Sequence, residues 1–68
     1  MTNFPAKLKQ LRIEHGYTVQ QASELIGLTK NAISNYEQGI REPSLNVLKA
    51  ICKLYNVSSD YLIGLSDF

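Results

Sequence analysis

The sequence has no hydrophobic run that approaches the ~18 residues needed to cross a membrane, which excludes a spanning helix. It has one cysteine, Cys52, which excludes an intramolecular disulfide and supplies no set of metal ligands. The first five residues lack the charged start and apolar stretch of a signal peptide, so we expect a cytoplasmic protein. No large excess of positive charge is present, because seven Lys and Arg against six Asp and Glu give a net charge of +1. A nucleic-acid ligand must therefore be argued from where the charges lie, since their sum supports one only weakly.

Glycine and proline divide the chain into short segments, and helical periodicity fills the intervals between them. Phe4, Leu8 and Leu11 recur at helical spacing, and Gly16 follows where a glycine C-cap would lie. Thr18 and Gln21 have the spacing of a capping box. The sequence predicts one all-α domain over residues 1–68, with helices at about 4–15, 18–26, 29–38, 44–55 and 58–63.

The third predicted helix has one face with an unusual composition. At 100° per residue, an arc of roughly 140° collects a lysine, three amides and a hydroxyl and contains no carboxylate: Lys30, Asn31, Ser34, Asn35 and Gln38. Ala32, Ile33 and Tyr36 lie opposite. Such a face can be ordinary solvated surface, but it lacks the Glu–Lys pairs common on exposed helices. Asparagine and lysine are also the side chains that pair with base edges in the major groove of DNA. Together with the glycine-containing turn before it, this face predicts a helix-turn-helix.

The stretch from Leu8 to Gly64 resembles the phage-repressor/Cro-type (XRE-like) helix-turn-helix family. The resemblance depends on the combined spacing of Leu11-Arg12, Gly16-Tyr17-Thr18, Gly27, Ile33, Tyr36-Glu37, Gly39, Pro43, Leu48, Ile51 and the run from Val57 to Gly64. It implies a compact five-helix, lambda-repressor-like fold. It also implies a transcriptional repressor or regulator that binds operator DNA as a homodimer.

The resemblance further implies roles for individual residues. Lys30, Asn31 and Asn35 match the base-reading positions of the family, with Ser34 next, and this set agrees with the face derived from the helical wheel. The contacts expected with the DNA backbone come from outside this set, at Thr18, Val19, Gln38 and Arg41. Val19 offers only its backbone N–H, and Arg41 can equally be a free surface residue. Arg12 and Glu37 match an ion pair that ties the first helix to the third.

One position departs from the family, which usually has Leu-Ala where this chain has Ala22-Ser23. We expect the Ser23 hydroxyl to bond back to a carbonyl of the preceding turn. Cys52 fits an apolar core face, and His15 has no nucleophile or metal partner in the sequence, so we expect neither enzyme activity nor a cofactor.

The end of the chain is rich in apolar residues, namely Tyr61, Leu62, Ile63, Leu65 and Phe68. Part of this run closes the core, and the remainder is a candidate dimer surface. The end can equally be the cut edge of a longer regulator. A protein-interaction module on the same fold, antitoxin-like or bound to a sensor domain, remains the alternative to DNA binding.

Overall fold

The computed structural model describes residues 3–65, and these form five helices. In chain order they are α1 (Phe4–Glu14), α2 (Val19–Ile26), α3 (Ala32–Glu37), α4 (Leu45–Tyr55) and α5 (Ser59–Ile63). The prediction of an all-helical fold with five helices is confirmed. None of the helices within this part of the chain has the length and apolarity needed to span a bilayer.

Local capping chemistry sets where most of these helices begin. The Thr18 hydroxyl accepts a hydrogen bond from the Gln21 backbone N–H, and the Gln21 side chain accepts one from the Thr18 N–H, so the capping box of α2 forms in full. The hydroxyls of Ser44 and Ser58 cap α4 and α5 in the same way. Gly27 ends α2 in the left-handed region at φ 81°, where a side chain would be strained.

The core contains at least one side chain from every helix. Its buried members are Phe4, Leu8, Leu11, Ala22, Ile33, Leu48, Ile51, Tyr55 and Leu62. Helix α1 packs against α3 and α5, while α2 packs against α3 and α4. Helix α3, the shortest but one, is therefore held by two neighbours that bury its inner face.

The third helix differs from the predicted range of residues 29–38, since α3 covers only Ala32–Glu37. The Ala32 N–H bonds to the Thr29 carbonyl, three residues back, so Lys30 and Asn31 form a tightened turn before the helix. Gln38 and Gly39 likewise lie in a turn after it. The other four helices lie within one residue of the ranges that the sequence predicts.

Candidate nucleic-acid interface

The four residues predicted to read bases, Lys30, Asn31, Ser34 and Asn35, occupy two kinds of structure, and we call this set the reading surface. Lys30 and Asn31 are exposed in the turn before α3, whereas Ser34 and Asn35 are half-buried on α3 itself. Ile33, between the two pairs, is fully buried. The helical wheel therefore does not apply to Lys30 and Asn31, whose directions are set by the turn.

Hydrogen bonds order the far end of the reading surface. The Gln38 side-chain amide donates to the Ser34 hydroxyl oxygen at 2.7 Å. The Asn35 backbone carbonyl accepts from the N–H groups of Ile40 and Arg41, at 3.0 and 3.4 Å, which turns the chain back after α3. Within residues 3–65 the side chains of Lys30, Asn31 and Asn35 have no hydrogen-bond or salt-bridge partner, so their polar groups are available to a ligand.

The structure brings Arg12 of α1 and Glu37 of α3 together in a two-pronged ion pair. Arg12 donates from Nε to Glu37 Oε2 at 2.7 Å and from Nη2 to Oε1 at 3.1 Å. The third guanidinium nitrogen donates to the Tyr17 carbonyl at 2.9 Å. The side chains are only 15% and 7% exposed, and the hydrogen bonds to Glu37 raise the pKa of Arg12 above its ordinary value. Glu37 is thereby neutralised beside the reading surface, and α3 is tied to α1.

The start of α2 offers backbone N–H groups to an anion. Thr18 is exposed, whereas the Val19 side chain is half-buried against the core. The capping box occupies the N–H groups of Thr18 and Gln21. Those of Val19 and Gln20 donate to no group among the residues that the structure describes, so they are the ones able to meet a phosphate. Arg41 is exposed in the loop after α3.

One supporting contact was not anticipated from the sequence. Ser23 is fully buried, and its hydroxyl oxygen accepts a hydrogen bond from the Ile33 backbone N–H at 3.3 Å. This N–H belongs to the first turn of α3 and has no acceptor within its own helix. Ser23 on α2 therefore caps α3 from outside it, a role for the hydroxyl oxygen that the sequence did not predict. The sequence marks this position, because Ala22-Ser23 departs from the usual Leu-Ala of the family. Only the packing of α2 on α3 shows that the Ile33 N–H is the donor to Ser23.

His15, Tyr17 and Tyr55 form a small aromatic cluster, and Tyr55 lies near the ion pair. His15 packs edge-on to Tyr55, with ring centroids 4.9 Å apart, and its Nδ1 lies 2.8 Å from the Leu11 carbonyl. The Tyr55 hydroxyl is buried and has no hydrogen-bond partner among residues 3–65. Burial, with the nearby Glu37, raises the pKa of Tyr55 to about 12. Burial also raises the pKa of the Cys52 thiol, which is not the environment of a reactive cysteine. No group of three His, Cys, Asp or Glu side chains within residues 3–65 could hold a metal ion.

Comparison with known proteins finds similarity over most of the chain. The helix-turn-helix family model matches residues 8–62. The HTH-type transcriptional regulator ImmR of Bacillus subtilis (strain 168) is 43% identical over 58 residues, which are 85% of this chain and 46% of ImmR. The uncharacterized HTH-type transcriptional regulator YobD of the same strain is 41% identical over 61 residues, 90% of this chain and 54% of YobD. The antitoxin PezA of Streptococcus pneumoniae serotype 4 is 32% identical over 57 residues, 84% of this chain and 36% of PezA. The chain thus spans about half the length of ImmR and YobD.

Proposed function

Because this chain belongs to the helix-turn-helix family, of the phage-repressor/Cro (XRE-like) type, we propose that it binds double-stranded DNA sequence-specifically and regulates transcription. The observation that carries the proposal is the reading surface, which is polar and free of carboxylates. Glu37, the acidic residue of α3, is held by Arg12. The likeness to ImmR and YobD, both named as HTH-type transcriptional regulators, supports the same role.

Each member of the reading surface has a chemical match among base edges. Asn31 and Asn35 each carry an amide that can both accept from and donate to adenine at N6 and N7. Lys30 donates to guanine at O6 and N7. The Ser34 hydroxyl oxygen accepts from Gln38, so its own hydrogen remains to donate to a base or phosphate. We expect Asn35 to give the largest discrimination, because its backbone is held by α3 and by the loop that follows.

Phosphate contacts would fix the register of the reading surface on the duplex. The N–H groups of Val19 and Gln20 would donate to one phosphate at the start of α2, beside Thr18. Gln38 and Arg41, both exposed after α3, would meet the backbone at the other end. Arg41→Ala should reduce the dependence of log affinity on log salt concentration by about one unit, since one fewer counterion is released.

We infer that the protein acts as a homodimer on DNA, because helix-turn-helix proteins pair to read half-sites about 34 Å apart. Of the apolar run at the end of the chain, Leu62 is buried in the core, whereas Leu65 is 74% exposed. Phe68 lies outside the described residues. Action as a repressor, rather than as an activator, and a cytoplasmic location stay predictions.

The experiment is selection of bound fragments from random duplex DNA, followed by titration of variants on the selected site and on random DNA. Asn35→Ala should cost about 1–3 kcal/mol on the selected site and less on random DNA. Gln10→Ala, an exposed amide on α1, is the matched control and should change neither. Equal losses by Asn35→Ala on both DNAs would exclude base reading.

A protein-interaction module is the second candidate function, favoured by the likeness to the antitoxin PezA. The two candidates differ in their response to salt. DNA binding must weaken steeply as salt rises, because phosphate contacts release counterions. Failure to shift any duplex at ~50 mM salt would favour the interaction module.

A further inference from the structure

Helix α4 and the approach to α5 border an open groove of about 580 Å³, which neither Arg12 nor Glu37 lines. Its volume lies within the ~300–1,000 Å³ of typical ligand sites. Four apolar side chains and two lysines account for most of the lining, namely Leu45, Leu48, Cys52, Val57, Lys49 and Lys53. We call this surface the α4 groove.

One face of α4 supplies most of the α4 groove, and Val57 completes its apolar floor. Leu45, Leu48 and Cys52 recur at helical spacing, with Lys49 and Lys53 beside them, so all five lie on the same side of α4. Leu48 reaches the core, but Leu45 is 80% exposed. A large exposed leucine that continues into a half-buried apolar floor is typical of a binding surface rather than of scattered surface residues.

The charge of the α4 groove has one sign. Lys49 and Lys53 are exposed four residues apart, where like charges repel each other along a helix. Within residues 3–65, neither lysine has an ion-pair or hydrogen-bond partner, and no carboxylate lines the groove. A ligand that supplied carboxylates at the rim and apolar side chains at the floor would satisfy both features.

We propose that the α4 groove binds an acidic amphipathic helix of a partner protein. Such a helix would place apolar residues at i, i+3, i+4 and i+7 on Leu45, Cys52 and Val57, with Asp or Glu on its flanks. A second copy of this chain fits less well, because pairing the groove with itself sets lysines against lysines. DNA phosphates would match the lysines and leave the apolar floor unused. Binding of such a helix is separate from DNA binding and does not require it.

The test is selection from a displayed library of 16-residue helices whose apolar stripe is fixed and whose flanking positions are drawn equally from Glu, Lys, Gln and Ala. Binders selected on the whole chain should be enriched in Glu over Lys at the flanks. Their affinity should fall roughly ten-fold with Lys49→Glu/Lys53→Glu, since two exposed charge pairs are reversed. Selection on that variant should enrich Lys instead. Leu45→Ser should weaken binding similarly, and Lys9→Glu, which reverses an exposed lysine on α1, should not.

All the altered side chains are exposed, so far-UV circular dichroism should show an unchanged fold. Failure to recover binders, random flanks, or binding that ignores the charge reversal would each overturn the proposal. A self-association that Leu45→Ser abolishes would assign the groove to a second copy instead. A lower salt dependence of DNA binding in Lys49→Glu/Lys53→Glu, without loss of the peptide, would assign the lysines to DNA.

Discussion

The ion pair between Arg12 and Glu37 should be a main source of stability in this small protein, and its energy can be bounded from its exposure. Fully exposed pairs contribute about 0.2–1 kcal/mol, whereas breaking a buried pair costs about 3–5 kcal/mol. Arg12 is 15% exposed and Glu37 is 7% exposed, and two hydrogen bonds join them. We therefore expect Glu37→Gln to lower the free energy of unfolding by about 2 kcal/mol. Glutamine keeps the shape of the glutamate side chain but removes the negative charge that pairs with Arg12.

Arg12→Met should cost more, about 3 kcal/mol, since it leaves the Glu37 carboxylate buried without its cation. The whole domain is expected to be stable by only roughly 3–5 kcal/mol, so either change removes a large fraction of it. Each kcal/mol corresponds to about 4–8 °C in Tm for a domain of this size, which predicts a fall of about 8–16 °C for Glu37→Gln.

The assay is urea unfolding, monitored by circular dichroism, of both single variants and the double variant. The double-mutant cycle should give a coupling energy of about 2 kcal/mol between the two residues. Glu14→Gln is the matched control, because Glu14 accepts one exposed hydrogen bond from Gln10, and it should change stability by less than about 0.5 kcal/mol. A coupling energy no larger than the stability change in Glu14→Gln would refute the idea that the ion pair holds α3 against α1.

Two further predictions concern buried polar groups. The pKa of Tyr55 is about 12 in the folded chain and about 10 when the chain is unfolded. The free energy of unfolding that depends on the neutral hydroxyl is therefore fully present below pH 10 and should be lost between pH 10 and 12. The loss should be at most about 1.4 kcal/mol per pH unit. In Tyr55→Phe, urea titrations between pH 10 and 12 should no longer show this loss of stability. Stability at neutral pH should be kept or raised, because the buried hydroxyl has no partner among residues 3–65. An alkaline stability profile identical to that of the unaltered chain would disprove the role of Tyr55. Ser23→Ala should cost about 1–3 kcal/mol in the same assay, because it leaves the Ile33 N–H buried without an acceptor. The exposed Ser59→Ala serves as its control, and an equal, negligible loss in both would show that Ser23 does not cap α3.

Much of the fold could be predicted from sequence because its helix ends are local. The Thr18 hydroxyl and the Gln21 side chain find each other within one turn, and Gly27 needs no distant contact to adopt a positive φ. Apolar spacing along α1 and α4 likewise identifies which faces are buried, since a helix has one side that can reach a core. The family resemblance then supplied the roles of residues whose partners are far away in sequence, Arg12 and Glu37 among them.

The limits of α3 could not be predicted in this way. Composition alone favours a helix from Thr29, but the chain must turn out of α2 through Gly27 and still bury Ile33, so Lys30 and Asn31 take a tighter turn. Two members of the reading surface consequently precede α3 instead of lying on it. A regular helical wheel therefore does not describe the directions of those two side chains.

By itself, the sequence determined where every helix but α3 starts, which faces are apolar and which family the chain resembles, because those signals lie within a few residues or in a fixed spacing. Only the tertiary structure decided that Ser23 caps α3 from another helix, that the Tyr55 hydroxyl is buried without a partner, and that Lys49 and Lys53 border an apolar groove. The physical reason is that hydrogen bonding, burial and charge proximity between distant segments depend on how the helices pack, and packing is a property of the whole chain.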